Sequence, residues 1–156
     1  MTATTEIERK FLLRDDSWRA ASDGGTVYRQ AYLNSEPQRT VRVRIEGERA
    51  FITIKGKTAG ISRAEFEYPI PLADAGQLLA LCESAPLEKI RHRVRHQGHV
   101  WEIDEFLGVN AGLVVAEIEL ASEQENFTMP AWAGEEVSGD ARYYNSALSR
   151  RPFCQW

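Results

Sequence analysis

Strand-like alternation that carries like charges in pairs is the feature that most constrains this 156-residue chain. Along residues 6–13, Glu6, Glu8 and Lys10 fall in one row and Ile7 points the other way. This follows because successive side chains of a β-strand project to opposite faces. The spacing returns in Arg42 and Arg44, in Thr53 and Lys55, in Arg63, Glu65 and Glu67, and in Lys89, Arg91, Arg93 and Arg95. It returns again in Glu102 and Asp104 and in Glu117 and Glu119, while Val43, Phe66, Ile103 and Ile118 occupy intervening positions. An exposed sheet face usually mixes Thr, Ser, Gln and Lys. Like charges at this spacing destabilise a sheet unless opposite charge lies close by. A closed barrel with the charged rows inside brings acids and bases together across a lumen, and helices can cover the apolar outside. The competing reading is that the rows face water and guard strand edges against aggregation.

Turn signals and alternation place further strands over residues 26–33, 40–45, 50–55, 62–69, 88–96, 100–106 and 113–120, about eight in all. Tyr28, Gln30 and Tyr32 share one face of the second. A short helix is expected over residues 15–21, an amphipathic one over 72–83, a helical piece over 122–127 and a last helix near 140–150. The expected class is mainly β (α+β): an eight-stranded antiparallel closed barrel with a charged interior and helices packed outside. Residues 1–156 read as one domain.

Composition narrows the function. A net charge of −4 argues against a general nucleic-acid binder. No apolar run is long enough for a membrane span, and the polar, acidic start is unlike a signal peptide. Cys82 and Cys154 cannot make a disulfide framework and read as free thiols of a cytoplasmic, reducing environment. His92, His96 and His99 are close in sequence, but His92 and His96 fall opposite the arginine row with no cysteine or carboxylate beside them, which speaks against zinc. Lys55-Gly56-Lys57 lacks the flanking residues of a phosphate-binding P-loop, and Trp101, Trp132 and Trp156 read as packing or tail residues. What remains is a carboxylate cluster facing a basic cluster. Carboxylates bind Mg²⁺ or Mn²⁺ through oxygen, Arg and Lys grip phosphate, and the two together are the equipment of phosphoryl transfer.

The ordered residues resemble a known family. Glu6-Ile7-Glu8-Arg9-Lys10-Phe11 is similar to the Glu-x-Glu-x-Lys signature of the CYTH superfamily, the triphosphate tunnel metalloenzymes. The likeness continues through Gln30-Ala31-Tyr32-Leu33, Arg42-x-Arg44, Thr53-Ile54-Lys55, Ser62-Arg63-x-Glu65-x-Glu67 and Glu88-Lys89-x-Arg91. It ends with Glu102-x-Asp104, Glu117-x-Glu119-Leu120, Gly134-Glu135-Glu136-Val137 and Arg142-Tyr143.

The resemblance implies an eight-stranded tunnel that takes a small-molecule triphosphate with Mg²⁺ or Mn²⁺ and engages neither nucleic acid nor membrane. A homodimer is common for such barrels. By the same resemblance, Glu6, Glu8, Asp104, Glu117 and Glu119 form the metal side, and Arg42, Arg44, Lys55, Arg63, Lys89 and Arg91 hold phosphates. Lys10, paired with Tyr32, meets the transferred phosphoryl group, and Glu65 and Glu67 orient basic residues or the attacking water. Short bacterial members read Arg-Tyr-Lys-Asn where this chain has Arg142-Tyr143-Tyr144-Asn145, so a lysine expected to reach the tunnel is missing. The implied activity is hydrolysis of inorganic tripolyphosphate. The alternatives are a class IV adenylate cyclase, a thiamine triphosphatase and a non-catalytic polyphosphate-binding module.

Overall fold

The computed structural model describes residues 4–156. Its strands are β1 (Thr5–Leu13), β2 (Thr26–Asn34), β3 (Arg39–Glu46), β4 (Arg49–Gly56), β5 (Ser62–Ile70), β6 (Leu87–His96), β7 (His99–Phe106), β8 (Val114–Glu119) and β9 (Ala133–Glu136). They form one antiparallel sheet in the order β5-β4-β3-β2-β6-β7-β8-β1-β9. Pairing of β1 with β5, from Thr5 opposite Ala64 to Ile7 opposite Ser62, closes eight strands into a barrel. β9 is an extra strand on the far half of β1, with Phe11 opposite Glu136. Closure removes most unpaired edges, which a strand-rich chain must otherwise protect.

The turns follow from backbone sterics. β6 and β7 are joined by Gln97-Gly98, with φ of 48° and 82°. Such a pair of left-handed residues gives a two-residue turn whose twist matches the strands on either side.

Alternation then sorts the side chains. On the outer face, Phe11, Trp101, Ile103, Ile118 and Trp132 pack with Trp18, and Trp101 meets the edges of Phe11 and Trp132 at ring distances of 5.5 and 5.4 Å. Trp18 comes from the 3₁₀ turn Ser17–Ala21. A second outer core places Ala75 and Leu79 of helix α1 (Leu72–Ala80) on Ala31, Val43 and Ala50. The third core lies at one end of the barrel. Leu87, Phe106 and Val115 continue the inward rows of Lys89, Asp104 and Glu117, and they pack with Val137, Tyr143 and Leu148 of the C-terminal segment. That end is stoppered with apolar residues, and the charged part of the interior lies above it.

Several expectations need correction. The helix expected over 72–83 stops at Ala80, so Cys82 lies beyond it and is half-buried. Residues 122–127 are a turn followed by chain without regular structure, and Phe127 still packs on Trp101 and Phe11. The helix expected over 140–150 is a 3₁₀ turn (Ala141–Tyr143) and the short α2 (Asn145–Leu148). Tyr144 between them is extended, with φ −69° and ψ 135°. Nothing local marks β9, because its Ala-Gly-Glu-Glu sequence has neither alternation nor β propensity. It exists because β1 offers it a partner.

Candidate active site

The inward rows surround a cavity of about 220 Å³. Glu6, Glu8 and Lys10 reach it from β1, Glu117 and Glu119 from β8, Glu102 from β7, Lys89, Arg91 and Arg93 from β6, and Arg42 and Arg44 from β3. Lys55 enters from β4, Arg63, Glu65 and Glu67 from β5, and Tyr28 and Tyr32 from β2. Tyr144, Asn145 and Ser146 close one side.

Strand register sets the charge pairing. Lys10 lies opposite Glu117 and binds it at 3.5 Å. Glu6 pairs with Lys55 at 2.6 Å and with Arg63 at 3.8 Å. Burial by itself would raise the Glu6 pKa, but the two cations outweigh it and hold the carboxyl well below its usual range. Asp104 is 0% exposed and accepts from Lys89 at 2.7 Å and from Arg91 at 2.7 and 2.8 Å. These cations likewise overcome burial and keep it ionised. Arg91 reaches on to Glu117 at 3.3 Å and Glu102 at 3.2 Å.

Glu8 differs from these. It lies opposite Glu119, and neither carboxylate makes an ion pair among the described residues. Burial and the nearby Glu117 and Glu6 push the Glu8 pKa well up, and burial with Glu6 and Glu102 raises that of Glu119. Glu65 rises to about 7 through burial and its hydrogen bond with Glu6. For Glu8 and Glu119 such shifts mark carboxylates short of positive charge, whereas Glu65 rises although it pairs with Lys55 at 3.3 Å. On the opposite side cations crowd together. Burial, then Arg42 and Arg91, depresses Arg44 to about 10, and burial, then Arg91, brings Lys89 to about 7 despite Asp104. The Tyr28 ring, 2% exposed, faces Arg44 at 4.9 Å, Arg91 at 5.2 Å and Lys89 at 5.9 Å, and its hydroxyl accepts from Arg93 at 3.1 Å. Acids without an ion pair and a crowd of cations therefore share one chamber.

Residues 4–144 match the CYTH domain. The chain belongs to the CYTH family. It is 45% identical over 149 residues to an inorganic triphosphatase of Acetivibrio thermocellus, covering 95% of each chain. It is 35% identical over 153 residues to an inorganic triphosphatase of Nitrosomonas europaea, covering 93% of this chain and 97% of the relative. A crystal structure of an inorganic triphosphatase superposes with a TM-score of 0.65 at 33% identity, over 96% of this chain and 95% of that one. A Pyrococcus horikoshii protein at 17% identity and a TM-score of 0.59, covering 76% of this chain and 79% of that one, shares the fold.

The CYTH barrel brings together nearly all the residues singled out from the sequence. Asp104 stands apart: it lies behind the cavity lining, with its oxygens taken by Lys89 and Arg91. Lys10 and Tyr32 both line the chamber, yet no hydrogen bond or cation–π contact joins them among the described residues. Lys10 instead meets the Tyr143 carbonyl at 3.4 Å and the Tyr144 ring at 5.4 Å. Glu67 accepts from Thr53 at 2.9 Å and approaches Arg42 at 3.6 Å. Sequence reasoning did not single out Glu102, Tyr28 and Asn145. The first two share rows with residues that were chosen, so the signal was present. Asn145 stood in the Arg142-Tyr143-Tyr144-Asn145 stretch, but nothing local gave its partners, because its place depends on how the C-terminal segment docks. The histidines face outward. His92 bonds Ser22 at 2.8 Å, stacks edgewise on Trp18 and, against expectation, has a carboxylate beside it, Glu105 at 3.3 Å; His99 pairs with Glu125.

A divalent cation fits this donor set. Among the described residues no three carboxylates, histidines or cysteines converge as a ready-made cage. Mg²⁺ seldom needs one: it commonly keeps several waters and binds through one or two carboxylates plus substrate phosphates. Glu8 and Glu119, opposite each other and without an ion pair among the described residues, are such a pair.

Proposed function

We propose that this CYTH protein hydrolyses inorganic tripolyphosphate, with a divalent cation, by attack of water on a terminal phosphoryl group. The observation that carries this reading is the unpartnered Glu8–Glu119 pair facing a crowded basic wall inside one chamber. The rings of Tyr28 and Tyr144 already face cations, and apart from Tyr32 the rest of the lining is charged or polar, which favours an inorganic substrate over ATP or thiamine triphosphate. The two inorganic triphosphatase relatives support it. The free thiols Cys82 and Cys154 suit a cytoplasmic setting.

In this reading Mg²⁺ or Mn²⁺ is held by Glu8 and Glu119 with Glu6 and Glu117 beside them, and it supplies charge neutralisation at phosphoryl oxygens. Arg42, Arg44, Lys55, Arg63, Lys89 and Arg91 bind the phosphates. Catalysis of this kind is mainly positioning and electrostatics. The Lys10 pKa is raised: Glu117 and Glu8 outweigh burial, so Lys10 stays charged and meets the oxygens of the phosphoryl group as charge grows on them. Glu65, near pKa 7, is poised to take a proton from the attacking water, and Glu67 orients Arg42 through Thr53. Asp104 anchors Lys89 and Arg91 from behind.

The test is purified protein offered tripolyphosphate, ATP and thiamine triphosphate with Mg²⁺ or Mn²⁺. Orthophosphate release from tripolyphosphate at the highest kcat/KM is expected. Cyclic AMP formed from ATP would establish the cyclase instead, and tight binding without turnover would establish the binding module.

A further inference from the structure

At the stoppered end of the barrel, three successive residues of the C-terminal segment touch the charged chamber. The Tyr143 carbonyl and the Tyr144 ring meet Lys10. The next contact carries more. Asn145 Oδ1 accepts from Lys89 Nζ at 2.9 Å and from Gln30 Nε2 at 3.0 Å. Gln30 is 0% exposed, and its own Oε1 accepts from Arg44 Nε at 3.0 Å. Lys89, 1% exposed, gives a second hydrogen to Asp104.

We propose that Asn145 is a positioning residue whose single side-chain oxygen orients Lys89 directly and Arg44 through Gln30. Two cations of the phosphate-binding wall thus take their aim from the C-terminal segment. The proposal rests on the tripolyphosphate reading above.

The donor and acceptor inventory carries it. An ammonium has three N–H groups. Asp104 and Asn145 engage two of those on Lys89, which leaves the third directed by the others rather than free to rotate. Gln30 is fixed end to end, because its oxygen serves Arg44 and its amide nitrogen must then find an acceptor. Asn145 is that acceptor. A buried donor left without a partner is costly, so both groups would reorient if the oxygen were lost. The neutrality of the carboxamide also matters. It holds Lys89 without cancelling the charge a phosphate needs, whereas a carboxylate at this cavity-lining position would hold the same donors and repel the substrate.

The experiment compares wild type, Asn145→Leu, Asn145→Asp and Gln30→Ala with tripolyphosphate and Mg²⁺. It reads kcat, KM and calorimetric affinity, with thermal unfolding as the control on folding. Asn145→Leu is expected to lower kcat/KM about ten- to a hundredfold, the scale of two hydrogen bonds to aligned cations. Asn145→Asp should keep kcat within about threefold while KM rises at least about fivefold, because it restores the acceptor but adds like charge. Gln30→Ala combined with Asn145→Leu should lose less than the sum of the single effects. Kinetics and affinity of Asn145→Leu within about twofold of wild type would overturn the proposal, whatever its unfolding temperature, on the same hydrogen-bond scale. If Asn145→Leu does not fold, Asn145→Asp with unchanged KM and affinity would overturn it. A wild type that binds tripolyphosphate without releasing orthophosphate would sink the hydrolase reading instead, and the calorimetric comparison would still decide the role of Asn145.

Discussion

Glu8 and Asp104 are carboxylates on the same inner surface, and their neighbours give them opposite surroundings. Glu8 faces another acid, whereas Asp104 is closed off by two cations. Glu8→Gln and Glu119→Gln should therefore abolish metal-dependent turnover and leave the far-UV circular dichroism unchanged. Full activity in either variant would remove that residue from the metal site. Asp104→Asn should cost stability first, by about 3 kcal/mol in urea unfolding, because removing one partner of a buried ion pair strands the other charges. Lys10→Ala and Tyr32→Phe each test the chemical step. Both should lower kcat by roughly ten- to a thousandfold with a smaller change in KM, the pattern of a group used mainly in the transition state. Because no contact joins them, their effects should add. A Tyr32→Phe enzyme with full turnover would leave that ring as wall packing.

Among the elements, β1 does the most. It bonds to β8 along most of its length, to β5 at its start and to β9 near its end, and it carries Glu6, Glu8 and Lys10 inward. Its outward Phe11 joins the tryptophan core, so one strand ties acids of the chamber to the main packing. Helix α1 is the contrast. It covers the outer face of β2, β3 and β4 and contributes no side chain to the chamber. Leu79→Ala, at a site 5% exposed, should then lower stability by about 2–4 kcal/mol with kcat and KM unchanged below the unfolding transition. A large loss of kcat in that folded variant would mean that α1 shapes the chamber from outside.

Over the whole molecule, the chamber gathers carboxylates whose pKa values are raised and cations whose pKa values are lowered. This has a sign in pH. Glu65 titrates near 7 in the fold but near 4.5 when unfolded, so the native state keeps a proton that the unfolded chain releases. Stability from this group is present at low pH and declines as pH rises from about 4.5 to about 7, and raised Glu8 and Glu119 act in the same direction. Lys89 acts later: its buried charge costs stability below about pH 7, and that cost fades towards pH 10.5. Glu65→Gln should thus gain thermal stability relative to wild type as pH increases from 5 to 7 in EDTA, about these titration points. Added Mg²⁺ should raise the wild-type unfolding temperature more at the upper end of that range, where the acids are ionised. A pH-independent difference between Glu65→Gln and wild type would show that Glu65 carries no retained proton.

Period-two alternation is a local property, so the sequence by itself determined the eight barrel strands, their inward rows and most of the chamber-lining residues. Like charges repeated on one face could be stable only beside opposite charge, which is why a charged interior was legible in Glu6, Glu8, Arg42 and Arg44. Tertiary structure alone decided the pairings. Register put Glu8 against Glu119 but Lys10 against Glu117, and it walled Asp104 behind Lys89 and Arg91 although its spacing matched that of the other acids. The same holds for β9, recruited by β1, and for Asn145, which reaches Gln30 and Lys89 only because Tyr143 and Leu148 pack into the barrel end. Contacts between segments more than a hundred residues apart, such as Gln30 with Asn145, are set by how apolar surfaces dock, and no local period records that.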